Sequence, residues 1–233
     1  GVAAKQLADL RASATTTLEL LRGNNINDFL FETSKEFVES SLSVLSDDRA
    51  ALAMLAALTT QESSNYIYEH SLGVTLYSVM LGRVLGWKSS QNLFKLGLGA
   101  LLHDIGASTI DQSILCRRES ELKKDELHTL RQHPEWGAVM LKQLSAAPPE
   151  VLAIALQHHE ELHGTGYPKK LDSTAIHPMA KLVGVANQFC ELVLPGPASW
   201  NLSPLEAFEQ MAGSNAYNGD ILDALKRLLK GMP

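Results

Sequence analysis

The chain has 233 residues, a formal net charge of −6, and 45% hydrophobic residues. This length suits one large domain, or one domain and a smaller attachment. No block of Lys or Arg stands out, which argues against DNA binding through many phosphate contacts. No apolar run is long enough to span a bilayer. The two cysteines, Cys116 and Cys190, form no CxxC motif, so a reducing cytoplasm is the simplest location.

Helical periodicity, proline positions and capping residues predict an all-α fold. No segment has the pattern of a hairpin or of alternating strands and helices. Residues 1–62 carry no recognisable chemistry, and we interpret them as an N-terminal helical region. They would form a packed extension, a homodimer interface, or a link to a further domain, and residues 63–233 would form the functional bundle. The predicted helices cover residues 4–22, 27–45, 47–58, 66–87, 91–105, 123–131, 134–144, 149–158 and 178–192, and one more begins at Pro204.

Histidines and an acid recur in a fixed order along residues 70–168. Imidazoles and a carboxylate from separated segments make a metal site if a helical fold brings them together. A carboxylate can also bridge two metals, which imidazole cannot. Two ions about 4 Å apart would activate water and hold the oxygens of a phosphoryl group. The series consists of His70, the pair His103-Asp104, His133, the pair His158-His159, and the Gly-Thr-Gly-Tyr-Pro loop Gly164–Pro168.

A single histidine on a helix is more often a solvated or capping residue than a ligand. We interpret His128, in a charged helix, as a surface residue. His177, before Pro178, is interpreted as a turn residue. The remaining imidazoles and the carboxylate lack a thiolate partner, so the ligand set is compatible with iron, manganese, nickel or zinc.

Five short motifs resemble the HD-GYP family, the bacterial branch of the HD phosphohydrolase superfamily. The resemblance runs from about residue 50 to the C-terminus. It implies a helical HD-domain bundle with two or three metals, in which members hydrolyse the bacterial messenger cyclic di-GMP. The motifs are Tyr68-Glu69-His70-Ser71, Leu101-Leu102-His103-Asp104-Ile105-Gly106, His133-Pro134 with Gly137, His158-His159-Glu160, and Gly164-Thr165-Gly166-Tyr167-Pro168.

The resemblance also implies roles for individual residues. Asp104 would bridge two divalent transition metals, for which iron or manganese is favoured and nickel or zinc is the alternative. Asp104 and His103 would be catalytic. The metal ligands would be His70, His103, Asp104, His133, His158, His159 and Asn187. The substrate would contact Gly164, Gly166 and Tyr167. For His163, which precedes this loop, the alternatives are a phosphate contact, a general acid and a solvated loop residue.

Several positions depart from the family pattern. Asn187 replaces an Asp, so the first metal should bind more weakly. Tyr66 replaces a Glu that some members use for a third metal, which predicts two metals at most. Ala107 replaces a Lys, His163 replaces an Asp, and residues 194–198 lack the usual basic side chains. Each lost charge-assisted phosphate contact would cost about 1.5–3 kcal/mol.

These departures leave three functional hypotheses. The first is an HD-GYP phosphodiesterase of reduced activity that acts on cyclic di-GMP. The second is a catalytically silent module that binds a cyclic dinucleotide or a signalling protein partner. The third keeps the hydrolase chemistry but changes the phosphate ester that is cleaved.

Overall fold

The structure, a computed structural model, describes residues 2–22, 27–60, 66–144 and 146–231. Within these residues it contains helices and no strand, which confirms the predicted all-α class. Short 3₁₀ helices cover Ile105–Thr109 and Glu119–Glu121. The α-helices are α1 (Val2–Arg22), α2 (Asp28–Val44), α3 (Asp48–Thr60), α4 (Tyr66–Val84), α5 (Ser90–Leu102), α6 (Gln112–Leu115), α7 (Lys124–Leu130), α8 (His133–Lys142), α9 (Pro149–Gln157), α10 (Pro178–Val193), α11 (Pro204–Gly213) and α12 (Gly219–Gly231).

Polar side chains start several of these helices where the sequence predicts a start. Asn27 Oδ1 accepts a hydrogen bond from Leu30 N at 3.0 Å, so Asn27 caps α2. Ser203 and Glu206 form the predicted capping box at α11. His177, predicted as a turn residue, caps α10 because its Nδ1 accepts from Met179 N.

Some helical segments differ from the sequence prediction. The apolar run predicted as one helix over 91–105 divides, because α5 ends at Leu102 and a 3₁₀ turn begins at Ile105. The break places His103 and Asp104 between two helical axes instead of on one. The amphipathic helix α12 has no counterpart in the sequence analysis, although it buries Ile221, Leu225 and Leu228.

Helix α4 lies at the centre of the bundle and is buried from Tyr68 to Gly82, with Glu69 the exception. It packs against α5 and α10, while α5 also packs against α9 and α2. Helix α8 packs against α9 and against the 3₁₀ turn that follows Asp104. The segments that carry the histidines are therefore joined by successive contacts from α4 through α5 and α9 to α8.

Helices α1 and α2 pack on each other and contribute Leu7, Leu10 and Phe37 to the same buried cluster as α4. The division of the chain at residue 62 stays a prediction, because residues 61–65 lie outside the described part. None of the described helices is long and apolar enough to cross a membrane.

Candidate metal centre

Four helix ends or turns present the predicted ligands to one place. His70 lies in the second turn of α4, and His103 and Asp104 follow the last residue of α5. His133 is the first residue of α8. Helix α8 approaches the 3₁₀ turn closely at Gly106. A Cβ on this residue would lie only 2.0 Å from the carbonyl oxygen of His133. Glycine at position 106 is thus required for this arrangement.

The Asp104 carboxylate lies between two groups of imidazoles. Its Oδ1 lies 3.1 Å from His133 Nε2 and 3.4 Å from His158 Nε2. Its Oδ2 lies 3.3 Å from His103 Nε2 and 3.8 Å from His70 Nε2. Within each group the potential ligand atoms lie within 4.8 Å of one another. The groups are Asp104, His133, His158 and His159, and His70, His103 and Asp104.

Backbone carbonyls fix the orientation and tautomer of three imidazoles. A neutral ring whose Nδ1–H donates a hydrogen bond carries its lone pair on Nε2, which is the atom that faces Asp104. The Nδ1 atoms of His103, His133 and His158 lie 2.6, 2.7 and 2.9 Å from the carbonyl oxygens of Ala100, Leu130 and Ala155.

This arrangement fits a divalent cation. The Nε2 atoms of His133 and His158 lie only 3.1 Å apart, and in the neutral tautomers their lone pairs would repel each other. His103 Nε2 is buried and has no hydrogen-bond partner within the described residues. Cations bound between the Nε2 atoms and the Asp104 carboxylate would be ligated by both kinds of donor.

Burial sets the protonation of the centre. Burial lowers the pKa of His70 and of His158 to about 4, which favours the neutral, ligating form at neutral pH. For Asp104, burial acts to raise the pKa, but the charge that His103 carries when no cation is bound holds the pKa of this carboxyl well below its usual value. The carboxylate is therefore available as an anionic ligand.

Asn187 lies at the His70 side of the centre. Its Oδ1 is 2.9 Å from His70 Nε2, and its Nδ2 donates to Glu191 Oε1 at 2.9 Å. Glu191, the only acid in α10, was not singled out in the sequence analysis, although a spacing of four residues places it on the same helix face as Asn187. Burial first, and then the charge of Asp104, raise the pKa of Glu191 to about 7.

The loop after α9 is tied to the histidine pair. The buried Glu160 carboxylate accepts hydrogen bonds from Lys169 N at 2.6 Å and Leu171 N at 2.8 Å. Tyr167 N donates to the carbonyl oxygen of His159 at 3.1 Å. Glu160 thus holds the loop, and its carboxylate has no part in either group of ligand atoms.

Tyr167 covers one side of the centre. Its ring stacks on His159 with centroids 4.5 Å apart, and the Arg131 guanidinium carbon lies 4.9 Å from the centroid of the Tyr167 ring. Its hydroxyl donates to Glu119 at 3.4 Å. Tyr167 is therefore held in place by contacts with three neighbouring side chains.

A cavity of about 540 Å³ opens over the cluster. Gly166, Tyr167, Asn187 and Ala107 line it, while a substrate contact at Gly166 and Tyr167 stays a prediction. The structure does not bring His163 into the lining, because this residue is exposed and pairs with Asp172 in an isolated bridge. Gly164 is likewise absent from the lining.

Three arginines that the sequence analysis missed also line the cavity. They come from the segment between the 3₁₀ turn after Asp104 and α8, where charged residues look like an exposed surface in sequence. Each forms an ion pair with a neighbouring glutamate. The pairs are Arg117–Glu126 at 2.6 Å, Arg118–Glu121 at 3.0 Å and Arg131–Glu119 at 2.6 Å.

The sequence model of the HD domain matches residues 44–221, a span that contains every member of the cluster. The chain belongs to the HD domain family. The resemblance identified from the motifs is therefore confirmed. The matched span also includes α3.

Curated relatives of this HD domain include three bacterial phosphodiesterases. "Cyclic di-GMP phosphodiesterase PA4108" of Pseudomonas aeruginosa is 31% identical over 77% of this chain and 42% of its own. "Cyclic di-GMP phosphodiesterase response regulator RpfG" of Xanthomonas campestris is 27% identical over 94% of this chain and 58% of its own. "3'3'-cGAMP-specific phosphodiesterase 3" of Vibrio cholerae is 30% identical over 73% of this chain and 37% of its own.

The chain thus spans between 37% and 58% of the length of these relatives. Among solved structures, Bd1817, a HDG"Y"P protein from Bdellovibrio bacteriovorus, superposes on this HD domain with a TM-score of 0.81. The superposition covers 95% of this chain and 71% of Bd1817 at 24% identity. It supports the helical fold.

Tyr66 packs directly against the segment 194–198. A Cβ on Gly196 would lie 1.9 Å from the Tyr66 ring, so the two residues are in direct contact. A side chain at position 196 would therefore require the Tyr66 ring to move.

Proposed function

We propose that this HD domain holds two divalent transition-metal ions and hydrolyses a phosphodiester bond of cyclic di-GMP or a related cyclic dinucleotide. The observation that carries the proposal is the Asp104 carboxylate, whose two oxygens lie against two different imidazole groups. The names of the curated relatives support the substrate class.

The ligands divide between two positions that share Asp104. His70, His103 and Asn187 would complete the first, and His133, His158 and His159 the second. Bound divalent ions would activate water as a nucleophile and neutralise the charge of the phosphate. Iron or manganese is the favoured metal, with nickel or zinc as the alternative.

The protein's own contribution is to hold these donors in place. The backbone carbonyl that accepts from His103 Nδ1 keeps its Nε2 lone pair directed at Asp104. Gly166 and Tyr167 would border the substrate, and the arginines of the cavity wall would contact its phosphates. Arginine suits this role because its planar fork binds two phosphate oxygens at once.

A hydrolysis assay tests the proposal directly. Metal-reconstituted protein, loaded with manganese or iron, is incubated with cyclic di-GMP, and the products are separated by chromatography. We expect steady release of the linear dinucleotide or GMP, and loss of that release in Asp104→Asn. Absence of product with either metal, at a protein concentration equal to that of the substrate, would overturn the proposal. A parallel assay with 3'3'-cGAMP separates the two substrate classes.

The second candidate is a catalytically silent module that binds a cyclic dinucleotide. Two observations favour it: Asn187 offers an uncharged oxygen beside His70, and Ala107 leaves the cavity without a lysine. Saturable binding of cyclic di-GMP without product release would support it. We also propose that the chain is located in the cytoplasm. It would bind a signalling protein partner and form a homodimer through its N-terminal helices.

A further inference from the structure

Trp200 is an exposed aromatic residue at the edge of the cavity. It lies between α10 and α11, its side chain is 50% exposed, and it belongs to the cavity lining. Of the lining tyrosines, Tyr68 is buried and Tyr66, Tyr167 and Tyr217 are partly buried. Trp200 is thus the most exposed aromatic ring of the described lining.

Arg118 contacts Trp200 within the lining of the cavity. Its guanidinium carbon lies 5.0 Å from the indole centroid, a cation–π contact. Arg118 Nε is buried and has no hydrogen-bond partner within the described residues. The ion pair of Arg118 with Glu121 is half-exposed, and exposed pairs of this kind contribute little to stability. The guanidinium is therefore free to exchange its carboxylate partner for another anion.

The segment that carries Trp200 lacks basic residues. Residues 194–203 contain no Lys or Arg, so this segment supplies an aromatic surface and no positive charge to the cavity. The positive charge comes instead from Arg118, which contacts the indole. A ligand that has both a flat aromatic group and an anionic group would use both features together.

We propose that Trp200 and Arg118 form a nucleobase subsite, in which a purine stacks on the indole of Trp200 and Arg118 contacts the adjoining phosphate. The subsite rests on the proposed function, since it assigns contacts to one half of a cyclic dinucleotide. Stacking between a base and an aromatic side chain suits this role because every base presents a π face. Arg118 holds the indole in position and supplies the charge that the segment 194–198 lacks.

Fluorescence of Trp200 tests the stacking contact. The chain contains three tryptophans, and Trp87 and Trp136 do not line the cavity. In the variant Trp87→Phe/Trp136→Phe, emission arises from Trp200 alone. We expect saturable quenching of metal-loaded protein by a hydrolysis-resistant phosphorothioate analogue of cyclic di-GMP. Ribose 5-phosphate, which has the anion but no base, should leave the emission unchanged.

Calorimetry with the same analogue measures the affinity of each variant for comparison with the unsubstituted protein. Trp200→Leu should weaken binding by about 5- to 150-fold, the range for the loss of one stacked base. Trp200→Phe, which keeps an aromatic face, should lose less than Trp200→Leu, and Trp136→Phe should match the unsubstituted protein. Metal content should stay the same in all of them, because none of these residues is a ligand.

The outcomes distinguish a failure of the nucleobase subsite from a failure of the proposed function. If the unsubstituted protein binds the analogue and Trp200→Leu binds it equally well without quenching in the single-tryptophan variant, the subsite is wrong and the proposed function stands. If the unsubstituted, metal-loaded protein binds no cyclic dinucleotide at all, the proposed function is wrong and the subsite falls with it.

Discussion

The Nε2 atoms of His133 and His158 face each other at 3.1 Å across a buried position, although each ring already donates its Nδ1–H to a backbone carbonyl. Neutral imidazoles in these tautomers present two lone pairs to the same point. Asp104 Oδ1 lies within 3.4 Å of both. Three donors directed at one position make a cation the simplest explanation of the geometry.

Removal of the shared carboxylate should release both metals. Asp104→Asn keeps the size of the side chain but removes the charge that both ligand groups share. We expect metal content, measured by mass spectrometry after gel filtration, to fall from about two ions per chain to below one. His128→Ala is the matched control, because it removes an exposed imidazole outside the cluster. Equal metal content in the two variants would contradict the bridging role of Asp104.

The effect of a negative charge at position 187 on metal affinity should depend on Glu191. Asn187→Asp alone would place a second carboxylate beside Glu191 Oε1, which lies 2.9 Å from Asn187 Nδ2. Like charges at that distance repel each other. We therefore expect the double variant Asn187→Asp/Glu191→Gln to bind the first metal more tightly than Asn187→Asp. Metal titration by calorimetry compares them.

Glu161→Gln is the control for that comparison, since Glu161 lines the same cavity and hydrogen-bonds to Thr165 instead of Asn187. It should leave metal affinity unchanged. Tighter binding in Asn187→Asp than in the double variant would show that Glu191 does not oppose a charge at position 187.

A cation at position 107 should strengthen phosphate binding. Ala107 lines the cavity, so Ala107→Lys directs an ammonium group into the space where substrate phosphates would lie. A charge-assisted contact of about 1.5–3 kcal/mol corresponds to about a 10- to 150-fold gain in affinity for cyclic di-GMP or in kcat/KM. Val139→Lys, on an exposed surface outside the cavity, should change neither quantity. Equal values in the two lysine variants would reject the explanation that Ala107 limits activity.

The hydrogen bonds of Glu160 should increase the free energy of unfolding. Its carboxylate accepts from Lys169 N and Leu171 N, and Glu160→Gln would place an amide NH₂ group against one of these donors. An unsatisfied buried donor costs about 1–3 kcal/mol in the free energy of unfolding. Thermal unfolding measures the loss, with the exposed Glu39→Gln as control. An unchanged melting temperature in Glu160→Gln would mean that the loop is held by other contacts.

The helices and the central cluster could be predicted from sequence because their signals are local. Prolines at the first helical position mark where helices begin, and the order of the His and Asp motifs is specific to the family. The role of Glu191 could not be predicted, because it depends on the rotation of α10 that turns both Asn187 and Glu191 toward the cavity. The same holds for Arg118, whose contact with Trp200 joins segments far apart in the chain.

The position of His163 depends on a turn of the chain. It lies directly before the Gly164–Pro168 loop, and a substrate phosphate contact was one of the roles predicted for it. In the structure its side chain is exposed and outside the cavity lining, because the chain turns at Gly164, where φ is +70°. Neighbours in sequence point in different directions at such a turn.

Anomalous diffraction from crystals of the manganese- or iron-loaded protein shows whether the Asp104 carboxylate joins two metal ions. We expect two anomalous peaks, each within about 2.5 Å of one oxygen of the Asp104 carboxylate, with His103 beside one peak and His133 beside the other. A single peak that Asp104 does not contact, or no peak within the cluster in metal-saturated crystals, would contradict the account.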